Sequence, residues 1–473
     1  LPLSQLHLGW GSLMVLGLAT AGASVVGDLT VSLLKREVGL RDSGSLLPGH
    51  GGLLDRLVSI CGAAPVFALG LVLIGYCSMR RIAVLGATGS IGRSTLDVIQ
   101  RHPDRYQVTL LSAHRSVDDM EALCRTHQPT YAVMRDPDAA AALAERLTDL
   151  SAVTVESGAA VLDDLVAEPN VDSVVAGIVG FAGLRPTLSA ARTGKTILLA
   201  NKEALVSAGG LFMETVRQGG ATLLPVDSEH NAMHQCLPVA SDGRPDMTDV
   251  EKIVLTASGG PFRGRSRSSL DAVTPAEACA HPNWSMGQKI SVDSATLANK
   301  GLELAEACWL FDRSPDEIEI VVHPQSIVHS MIRYRDGSVL AQLGQPDMRT
   351  PIAYCLAWPE RVDAGVDALD IVSAGRLDFE APDLEAFPCL ALAQWAITQP
   401  GGMCVFSAAN EIAVAAFLSG EIRFTDIDKV IDAALEATDF AEPDSLDAVQ
   451  ALDQKARQAA QQSIAGEFTR SES

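Results

Sequence analysis

Three acidic residues are the first candidates for chemistry in this sequence. Asp227 and Glu229 lie two residues apart after an apolar run, so in extended backbone their carboxylates share one side. Glu303 lies on a helix predicted from about Ser294, one turn beyond Asn299. Carboxylates that face one another repel unless a cation separates them, and an all-oxygen ligand set favours Mg²⁺ or Mn²⁺. These residues therefore predict a divalent-metal site; the alternative is a solvated loop beside a polar helix face.

Two glycine-rich turns indicate phosphate binding. The segment "GATGSIG" (86–92) follows a β-branched strand and opens a helix, so its backbone N–H groups can approach the pyrophosphate of a dinucleotide. Arg115 follows the second strand, where a basic side chain suits the 2′-phosphate of NADPH. The segment "TASGGPF" (256–262) follows a later strand, and there Ser258 and backbone amides can hold a phosphate. The alternatives are an ordinary strand-to-helix turn and a solvated arginine.

The segment "HPNWSMGQK" (281–289) is unusual for a plain loop because it contains His281 and Trp284. Its composition is typical of a lid that covers a ligand and excludes water. We therefore expect it to lie over the metal and phosphate groups.

Alternating strands and helices must position these groups. Apolar strands are predicted at 107–114, 131–134, 171–180, 196–201 and 221–226, with Ala-rich helical stretches between them. This alternation predicts an α/β fold with a doubly wound, Rossmann-like sheet, in which ligands bind at the carboxyl ends of the strands. Asn201-Lys202-Glu203 and Asp227-Ser228-Glu229 fall at those ends.

The rest of the chain predicts two further parts. Residues 317–344 indicate strands with a hairpin at Asp336-Gly337, in an α+β catalytic region that also suits a dimer contact. A stretch rich in Pro, Asp and Gly (358–388) is typical of a linker. After it, helical patterns predict a C-terminal bundle whose last helix is capped by Asp444-Ser445. These helices are predicted at 388–399, 407–418, 425–440 and 445–463.

Composition narrows the class of function. The 473 residues carry a net charge of −22, and because the first 78 residues hold as many basic as acidic side chains, the excess acid lies after Ser78. Such an acidic body argues against a general nucleic-acid-binding surface, because phosphate contacts need clustered Lys and Arg. The nine cysteines include no CxxC pair, which indicates a reducing cytoplasm. No basic segment precedes an apolar run at the start, so we expect no secretory signal.

The first 78 residues differ in kind from the rest. Uncharged runs at 9–27 and 61–77 are about as long as a membrane-crossing helix and favour membrane spans over buried core helices. The stretch between them resembles the C-terminal signature of phosphatidate cytidylyltransferases, which implies that Asp28 and Asp55 bind metal. The matching residues are Ser32, Lys35-Arg36, Asp42, Gly44, Pro48, His50-Gly51-Gly52 and Asp55-Arg56. The earlier spans of that family are absent, so we expect no catalysis from this segment.

From Met79 onward the chain resembles the 1-deoxy-D-xylulose 5-phosphate reductoisomerase family. The matching blocks are "GATGSIG", "LLANKEALV", "LLPVDSEHNA", "ASGGPFR", "HPNWSMGQKISVDSATLANKGLE", "HPQSIVHS", "GQPDMRTPIA" and "AANEIAVAAFL". The resemblance implies rearrangement of 1-deoxy-D-xylulose 5-phosphate and its reduction by NADPH to 2-C-methyl-D-erythritol 4-phosphate, a precursor of isoprenoids. It also implies a requirement for Mn²⁺ or Mg²⁺.

The same resemblance implies a role for each matching residue. The metal would be bound by Asp227, Glu229 and Glu303, and the catalytic residues would be Lys202, Glu229 and His281. Substrate contacts are implied for Lys202, Ser228, Glu229, Ser258, His281, Ser294, Asn299, Lys300 and Glu303. Contacts with NADPH are implied for Thr88, Gly89, Ser90, Ile91, Arg115, Ser116, Asn201, Glu203 and Gly287.

We expect a cytoplasmic homodimer that acts on a sugar phosphate, binds no nucleic acid and meets a membrane only through residues 1–78. The expected parts are a membrane fragment (1–78), an NADPH-binding domain (79–227), a catalytic, metal-binding and dimerisation domain (228–357), a linker (358–383) and a helical domain (384–473).

One alternative is a semialdehyde dehydrogenase, which shares the Gly-Ala-Thr-Gly loop but needs a nucleophilic cysteine. Another is a membrane-anchored fusion with a lipid-linked role; our hypothesis is instead that residues 1–78 are the tail of a neighbouring gene product, joined at Met79.

Overall fold

The computed structural model describes residues 10–37, 39, 63–70, 79–240, 243–284 and 286–468. The chain divides into two compact units, residues 1–80 and residues 81–473. The division falls beside Met79, where the sequence changes from lipid-compatible to amphipathic. Domain boundaries inside the second unit stay a prediction.

Two helices are described in the first unit, α1 (Trp10–Glu37) and α2 (residues 63–70). Over Met14–Glu37, α1 is long and apolar enough to cross a membrane, and 6% of its most apolar 18 residues are buried. In the described part of the chain a second helix, Gly402–Ser419, is also long and apolar enough, but 72% of it is buried and it belongs to a protein core. The two helices therefore differ in kind despite similar hydropathy.

Helix α1 continues past the predicted apolar run and includes Asp28, Lys35 and Arg36. It does so because no proline or glycine interrupts residues 28–37. The cytidylyltransferase-like residues from Asp42 to Arg56 lie outside the described residues, as does the end of the second apolar run.

The second unit begins with the predicted Rossmann-like sheet, which has seven strands in the order β4-β3-β2-β1-β5-β6-β7 and parallel pairings. The strands are β1 (Arg80–Leu85), β2 (Tyr106–Ala113), β3 (Tyr131–Met134), β4 (Thr154–Ser157), β5 (Ser173–Ala176), β6 (Thr196–Leu199) and β7 (Thr222–Pro225). Alternate residues of β1 belong to different cores, Ile82 and Val84 to one and Ala83 and Leu85 to the other. Both faces of the sheet are therefore covered, as the apolar strands predict.

Helices cover this sheet and connect its strands. They are α3 (Ser90–Arg101), α4 (Val117–His127), α5 (Pro137–Arg146), α6 (Ala159–Leu165), α7 (Leu184–Arg192), α8 (Lys202–Gly219) and α9 (Ser228–Cys236). Strand β4 is absent from the sequence-based prediction. It lies at the edge of the sheet, where its side chains are only partly buried, so its residues show no apolar run.

A second sheet of four strands has the order β11-β10-β8-β9, with β8 (Val250–Ala257), β9 (Ile318–Val322), β10 (Val328–Tyr334) and β11 (Val339–Leu343). Strands β10 and β11 are antiparallel, and Gly337 in the turn between them has φ 87°. The predicted hairpin at Asp336-Gly337 is thus confirmed. Two short helices accompany this sheet, α10 (Pro275–Ala278) and α14 (Ile371–Ala374).

The prediction that one helix begins at about Ser294 was wrong. Two helices occupy this region, α11 (Gln288–Thr296) and α12 (Ala298–Phe311). They are separated by Leu297, whose φ of 61° is left-handed and breaks the helical path. Ser294 therefore lies near the end of α11, whereas Asn299, Lys300 and Glu303 lie on α12.

The predicted C-terminal bundle is present, with α15 (Cys389–Ala396), α16 (Gly402–Ser419), α17 (Ile427–Ala437), α18 (Leu446–Ser463) and a π-helical end at Ile464–Phe468. Ser445 caps α18 by accepting a hydrogen bond from the Ala448 N–H. Helix α16 packs on α17 and α18 and also on α8, α11 and α12. The bundle is thus continuous with the elements that carry the candidate site.

Residues around the predicted linker are ordered against both sheets. Helix α13 (Arg349–Ala357) packs on α3, and its Ile352 and Leu356 join the core of Ile82. The backbone of Glu380 exchanges hydrogen bonds of 2.8 and 2.9 Å with Val322 of β9. The predicted linker is therefore hydrogen-bonded to the second sheet at Glu380.

Candidate active site

Asp227, Glu229 and Glu303 meet at the carboxyl end of β7. Each offers a carboxylate oxygen, and the three oxygens lie within 4.8 Å of one another. The local geometry differs from the extended backbone expected from the sequence, because Asp227 precedes α9 while Glu229 lies in its first turn. The helical turn and the facing α12 bring the three carboxylates together.

Two buried lysines lie among these carboxylates. The ammonium group of Lys202, in the first turn of α8, contacts Asp227 and lies 3.2 Å from Glu303 Oε1. Lys300 Nζ lies 2.7 Å from Glu229 Oε1 and also contacts Glu303. Asn299 joins them by accepting a hydrogen bond of 2.9 Å from Lys202 Nζ. Three carboxylates thus face two ammonium groups.

Burial and charge shift the pKa values of Glu229 and Glu303 in opposite directions. Burial raises the pKa of Glu229, but the adjacent Lys300 ammonium outweighs it and lowers the pKa to about 2. Burial, reinforced by repulsion from Glu229, raises the pKa of Glu303 to about 7. A bound cation would favour the ionised form of Glu303, because its positive charge would offset the repulsion between the carboxylates.

The donor set fits a hard divalent cation. All three groups are carboxylates, and their combined charge exceeds that of the two lysines, so Mg²⁺ or Mn²⁺ suits them better than a softer metal. Ser228 also belongs to this cluster, because its hydroxyl donates a hydrogen bond of 2.5 Å to Glu229 Oε2. The residues present therefore fit the predicted metal.

His230 and Glu306 lie behind the carboxylates and were missed by the sequence analysis. His230 Nε2 donates to the Glu303 carbonyl at 2.8 Å, which leaves Nδ1 as an acceptor 3.4 Å from Glu306 Oε2. Burial, then repulsion from Asp227, raises the pKa of Glu306 well above its usual range. In the described part of the chain, neither carboxyl oxygen of Glu306 nor His230 Nδ1 has a hydrogen-bond partner, so the two buried side chains face each other unsatisfied behind the metal cluster. The available signal was spacing, since Glu306 is one turn beyond Glu303 on α12.

His281 holds Ser258 in a defined orientation. The His281 Nδ1 atom accepts backbone N–H groups of Asn283 and Trp284 at 3.2 and 3.0 Å, so the ring proton lies on Nε2. Nε2 then donates to Ser258 Oγ at 2.8 Å, and Gly260 N–H donates to the same oxygen at 3.1 Å. With two donors on its oxygen, the Ser258 hydroxyl is left to donate its own proton outward.

The residues expected to bind the substrate phosphate lie close together. A Cβ atom added to Gly260 would lie 2.8 Å from the Ser294 carbonyl oxygen, so the turn after Ser258 packs on the end of α11. Asn299 and Lys300 follow in the first turn of α12. The structure thus brings Ser258, Ser294 and the start of α12 to one region, as the sequence predicts.

The predicted lid segment is described except for residue 285. The Asn283 side chain donates to the Pro324 carbonyl at 2.7 Å, and the Trp284 ring lies 6.0 Å from the His329 ring. The segment therefore contacts the turn between β9 and β10. Its opening and closing stay a prediction.

The predicted dinucleotide turn has the necessary shape. Gly86 has φ 76°, and a Cβ atom on Gly92 would lie 2.5 Å from the Gly86 carbonyl oxygen. Gly89 caps the start of α3, whose first residues are Ser90 and Ile91, with Thr88 just before. The N–H groups at this helix start can therefore face a pyrophosphate.

The remaining cofactor candidates lie at the ends of other strands and helices. Arg115 is 73% exposed and paired with Asp136 at 2.7 Å, and Ser116 precedes α4. Asn201 precedes α8, where its side chain donates to the Gly180 carbonyl at 2.9 Å. Glu203 lies in the first turn of α8, and Gly287 precedes α11.

The described cysteines do not suit a dehydrogenase nucleophile. Burial raises the thiol pKa of each, to about 11 in Cys236 and about 12 in Cys308. The others in the described part of the chain are Cys124, Cys279, Cys355, Cys389 and Cys404. Because the thiolate is the reactive form, the semialdehyde dehydrogenase alternative loses its main requirement.

Comparison with known families and proteins gives a consistent result. Three family models match the chain: 1-deoxy-D-xylulose 5-phosphate reductoisomerase at residues 82–209, the reductoisomerase C-terminal domain at 223–311, and the DXP reductoisomerase C-terminal domain at 343–459. A fourth, the cytidylyltransferase family, matches residues 2–74. The two matched regions meet near Met79.

Individual relatives agree with the family models. The 1-deoxy-D-xylulose 5-phosphate reductoisomerase of Cellvibrio japonicus is 56% identical over 393 residues, covering 81% of this chain and 98% of the relative. That of Pseudomonas putida is 58% identical over 383 residues, covering 80% of this chain and 97% of the relative.

Two solved structures are similar along nearly their whole length. A DOX-P reductoisomerase in complex with NADPH, fosmidomycin and magnesium has a TM-score of 0.78 and 46% identity, covering 82% of this chain and 98% of its own. The Zymomonas mobilis reductoisomerase in complex with NADPH has a TM-score of 0.75 and 49% identity, with the same coverage.

Proposed function

The chain belongs to the 1-deoxy-D-xylulose 5-phosphate reductoisomerase family, and on that premise we propose how its residues carry out the reaction of that family. The reaction is rearrangement of 1-deoxy-D-xylulose 5-phosphate and NADPH-dependent reduction to 2-C-methyl-D-erythritol 4-phosphate, with a divalent metal. The single observation that best supports the assignment is the convergence of Asp227, Glu229 and Glu303 beside Lys202 and Lys300.

The three carboxylates are proposed to bind the metal. When bound, Mg²⁺ or Mn²⁺ supplies Lewis-acid polarisation of the substrate's carbonyl and hydroxyl oxygens, and NADPH supplies the hydride. Glu229 suits this role because its lowered pKa keeps it ionised across neutral pH. Lys202 and Ser228 lie beside it, and we assign them to contacts with the substrate's hydroxyl groups, in which the Ser228 oxygen acts as an acceptor because its own proton is donated to Glu229.

The opposite end of the substrate is proposed to bind where Ser258, Ser294, Asn299 and Lys300 lie. Lys300 provides the ammonium charge that a phosphate needs, and Ser258 provides an oriented hydroxyl donor. His281 acts on this end through the Ser258 oxygen. Proton transfer by His281 is not required for that role, because its Nδ1 atom is engaged by backbone N–H groups.

NADPH is proposed to bind along the carboxyl edge of the first sheet. Its pyrophosphate would face Thr88, Gly89, Ser90 and Ile91 at the start of α3, and its 2′-phosphate would face Arg115 and Ser116. Asn201, Glu203 and Gly287 would contact the part of the cofactor nearest the carboxylates.

The assignment is tested by NADPH consumption in the purified full chain. With Mn²⁺ and 1-deoxy-D-xylulose 5-phosphate, the wild type should oxidise NADPH, and Glu229→Gln should lower kcat by about a hundredfold or more, since it removes a ligand charge. Arg376→Gln, which changes an exposed ion pair with Asp378, is the matched control and should have wild-type kinetics. Wild-type activity in the Glu229 variant would refute the role of the carboxylates.

We also propose the domain roles expected from the sequence, with 79–227 for NADPH, 228–357 for metal and dimerisation, 358–383 as the connection and 384–473 as the helical domain. An unpaired edge supports a homodimer: β11 ends the second sheet, and its Val339 and Leu340 are 48% and 50% exposed. Residues 79–473 are proposed to act in the cytoplasm.

A second proposal concerns residues 1–78, where a specific observation favours membrane insertion. Helix α1 is apolar, exposed and long enough to span a bilayer, and the region matches the cytidylyltransferase family. If the segment is retained in cells, the protein should need detergent for extraction. If it is the tail of a neighbouring gene product, mass spectrometry of cell extracts should find no peptide that joins Cys77 to Arg81.

A further inference from the structure

A partly buried cation outside the assigned site, Lys289, contacts one of the proposed cofactor residues. Its Nζ atom lies 2.7 Å from Glu203 Oε1 and 2.8 Å from Asp293 Oδ2. The side chain of Lys289 is 21% exposed, whereas those of Glu203 and Asp293 are 5% and 0% exposed. Neither the dinucleotide turn nor the metal cluster uses this lysine.

Lys289 and its partners connect three elements, α8, α11 and α16. Lys289 lies at the start of α11, Glu203 lies in the first turn of α8, and Asp293 is one turn further along α11. Asp293 Oδ1 in turn accepts a hydrogen bond of 2.8 Å from Asn410 Nδ2 of α16. The network therefore connects the nucleotide-binding sheet, through α8, to α11 and to the C-terminal bundle.

The electrostatics keep Lys289 and Glu203 charged. Burial lowers the pKa of Lys289, but the attraction of Asp293 and Glu203 outweighs it and raises the pKa above the usual range. Burial likewise raises the pKa of Glu203, and Lys289 reverses the effect, so the carboxylate stays ionised. An ionised carboxylate can act only as an acceptor, and Lys289 occupies one of its two oxygens, Oε1.

The Glu203 carboxylate lies where the cofactor is proposed to bind. Glu203 follows Asn201 and Lys202 at the carboxyl end of β6, on the edge where dinucleotides bind. Gly287, another proposed cofactor contact, lies two residues before Lys289. One ion pair thus fixes the spacing between the start of α8 and the start of α11.

We propose that Lys289 is a positioning residue for NADPH: its ammonium group holds the Glu203 carboxylate as an acceptor for a ribose hydroxyl and fixes the Gly287 end of α11 against α8. The inference rests on the proposed function, in which Glu203 and Gly287 contact the cofactor. A purely structural role for Lys289 would instead affect stability alone.

The test is a double-mutant cycle on NADPH affinity, measured by titration calorimetry with the full chain. Lys289→Met and Glu203→Gln should each raise the NADPH Kd by about tenfold or more, and the double variant should bind no more weakly than the weaker single variant. Lys289→Arg should restore most of the affinity, because it keeps the charge. Mn²⁺ affinity, measured by electron paramagnetic resonance, should stay within about threefold of wild type in all of them.

The matched control is Arg267→Met, which breaks another partly buried ion pair, to Asp428 at 2.5 Å, away from the cofactor residues. It should lower the melting temperature and leave the NADPH Kd unchanged. The proposal is overturned if Lys289→Met and Lys289→Arg both bind NADPH as wild type does, or if the effects of Lys289→Met and Glu203→Gln simply add. Failure of the proposed function would look different, since the wild type would then bind NADPH without consuming it when given the sugar phosphate.

Discussion

Glu303 is the residue whose protonation most directly affects metal binding. Its raised pKa of about 7 means that the carboxyl is protonated below that pH and ionised above it. A cation must displace the proton, so the Mn²⁺ affinity should fall by up to about tenfold for each pH unit below 7 and level off above it. Mn²⁺ titrations at about pH 6 and about pH 8 measure this difference.

The Glu303→Gln variant is the control for this pH dependence. It should bind Mn²⁺ more weakly at both pH values and lose most of the difference between them, because the titrating ligand is gone. A pH dependence as steep as that of the wild type would assign the effect to another group.

His281 and Ser258 should act as one unit. Because His281 Nε2 donates to the Ser258 oxygen, removing either side chain removes the same oriented donor to the substrate phosphate. We expect Ser258→Ala and His281→Ala each to raise the substrate KM by about tenfold, and the double variant to raise it little further. Additive effects on KM would mean that the two side chains contact the substrate independently.

Among individual residues, the sequence predicts the metal ligands better than the charged side chains that lie behind or beside the site. The types and spacing of Asp227, Glu229 and Glu303 indicate a metal site, because carboxylates near one another need a cation. Glu306 and Lys289 escaped prediction, since Glu306 matters through its burial on α12 and Lys289 through its ion pair with Glu203 of α8. Only packing distinguishes a buried charge from a solvated one.

Among the elements, the turn from β1 to α3 leaves no room for a side chain at Gly92. A Cβ atom on Gly92 would lie 2.6 Å from both the Cα and the carbonyl oxygen of Ala87, and backbone atoms cannot move aside as a side chain can. Gly92→Ala should therefore destabilise the protein by about 1–3 kcal/mol and weaken NADPH binding. Denaturant unfolding and NADPH titration measure the two effects.

The matched control for Gly92→Ala is Gly466→Ala, where an added Cβ meets no atom within 4 Å. This variant should have the same free energy of unfolding and the same affinity for NADPH as the wild type. Equal stability and equal NADPH affinity in the two variants would contradict the claim that a side chain at Gly92 clashes with the Ala87 backbone.

The elements were predictable where burial produces a clear pattern. Strands β1, β5 and β6 each contain a buried apolar run, and the hairpin before β11 carries its Asp-Gly turn. The edge strand β4 lacks such a pattern, and the break between α11 and α12 lies at Leu297, a residue that gives no turn signal. Boundaries set by tertiary contacts were therefore missed.

For the whole molecule, the exposed edge at β11 carries a prediction about assembly. We expect a homodimer in solution and expect the double variant Val339→Lys, Leu340→Lys to shift it to monomer, since charged groups on an edge strand oppose pairing. Light scattering after gel filtration measures the mass. Val372→Lys, at a residue of α14 that is 90% exposed, is the control and should remain dimeric.

The identity of the product tests the central claim most directly. The purified full chain with Mn²⁺, NADPH and 1-deoxy-D-xylulose 5-phosphate should yield 2-C-methyl-D-erythritol 4-phosphate in amounts equal to the NADPH consumed, with nuclear magnetic resonance showing the branched carbon skeleton. Recovery of an unbranched reduced sugar phosphate, or of unchanged substrate, would contradict the account.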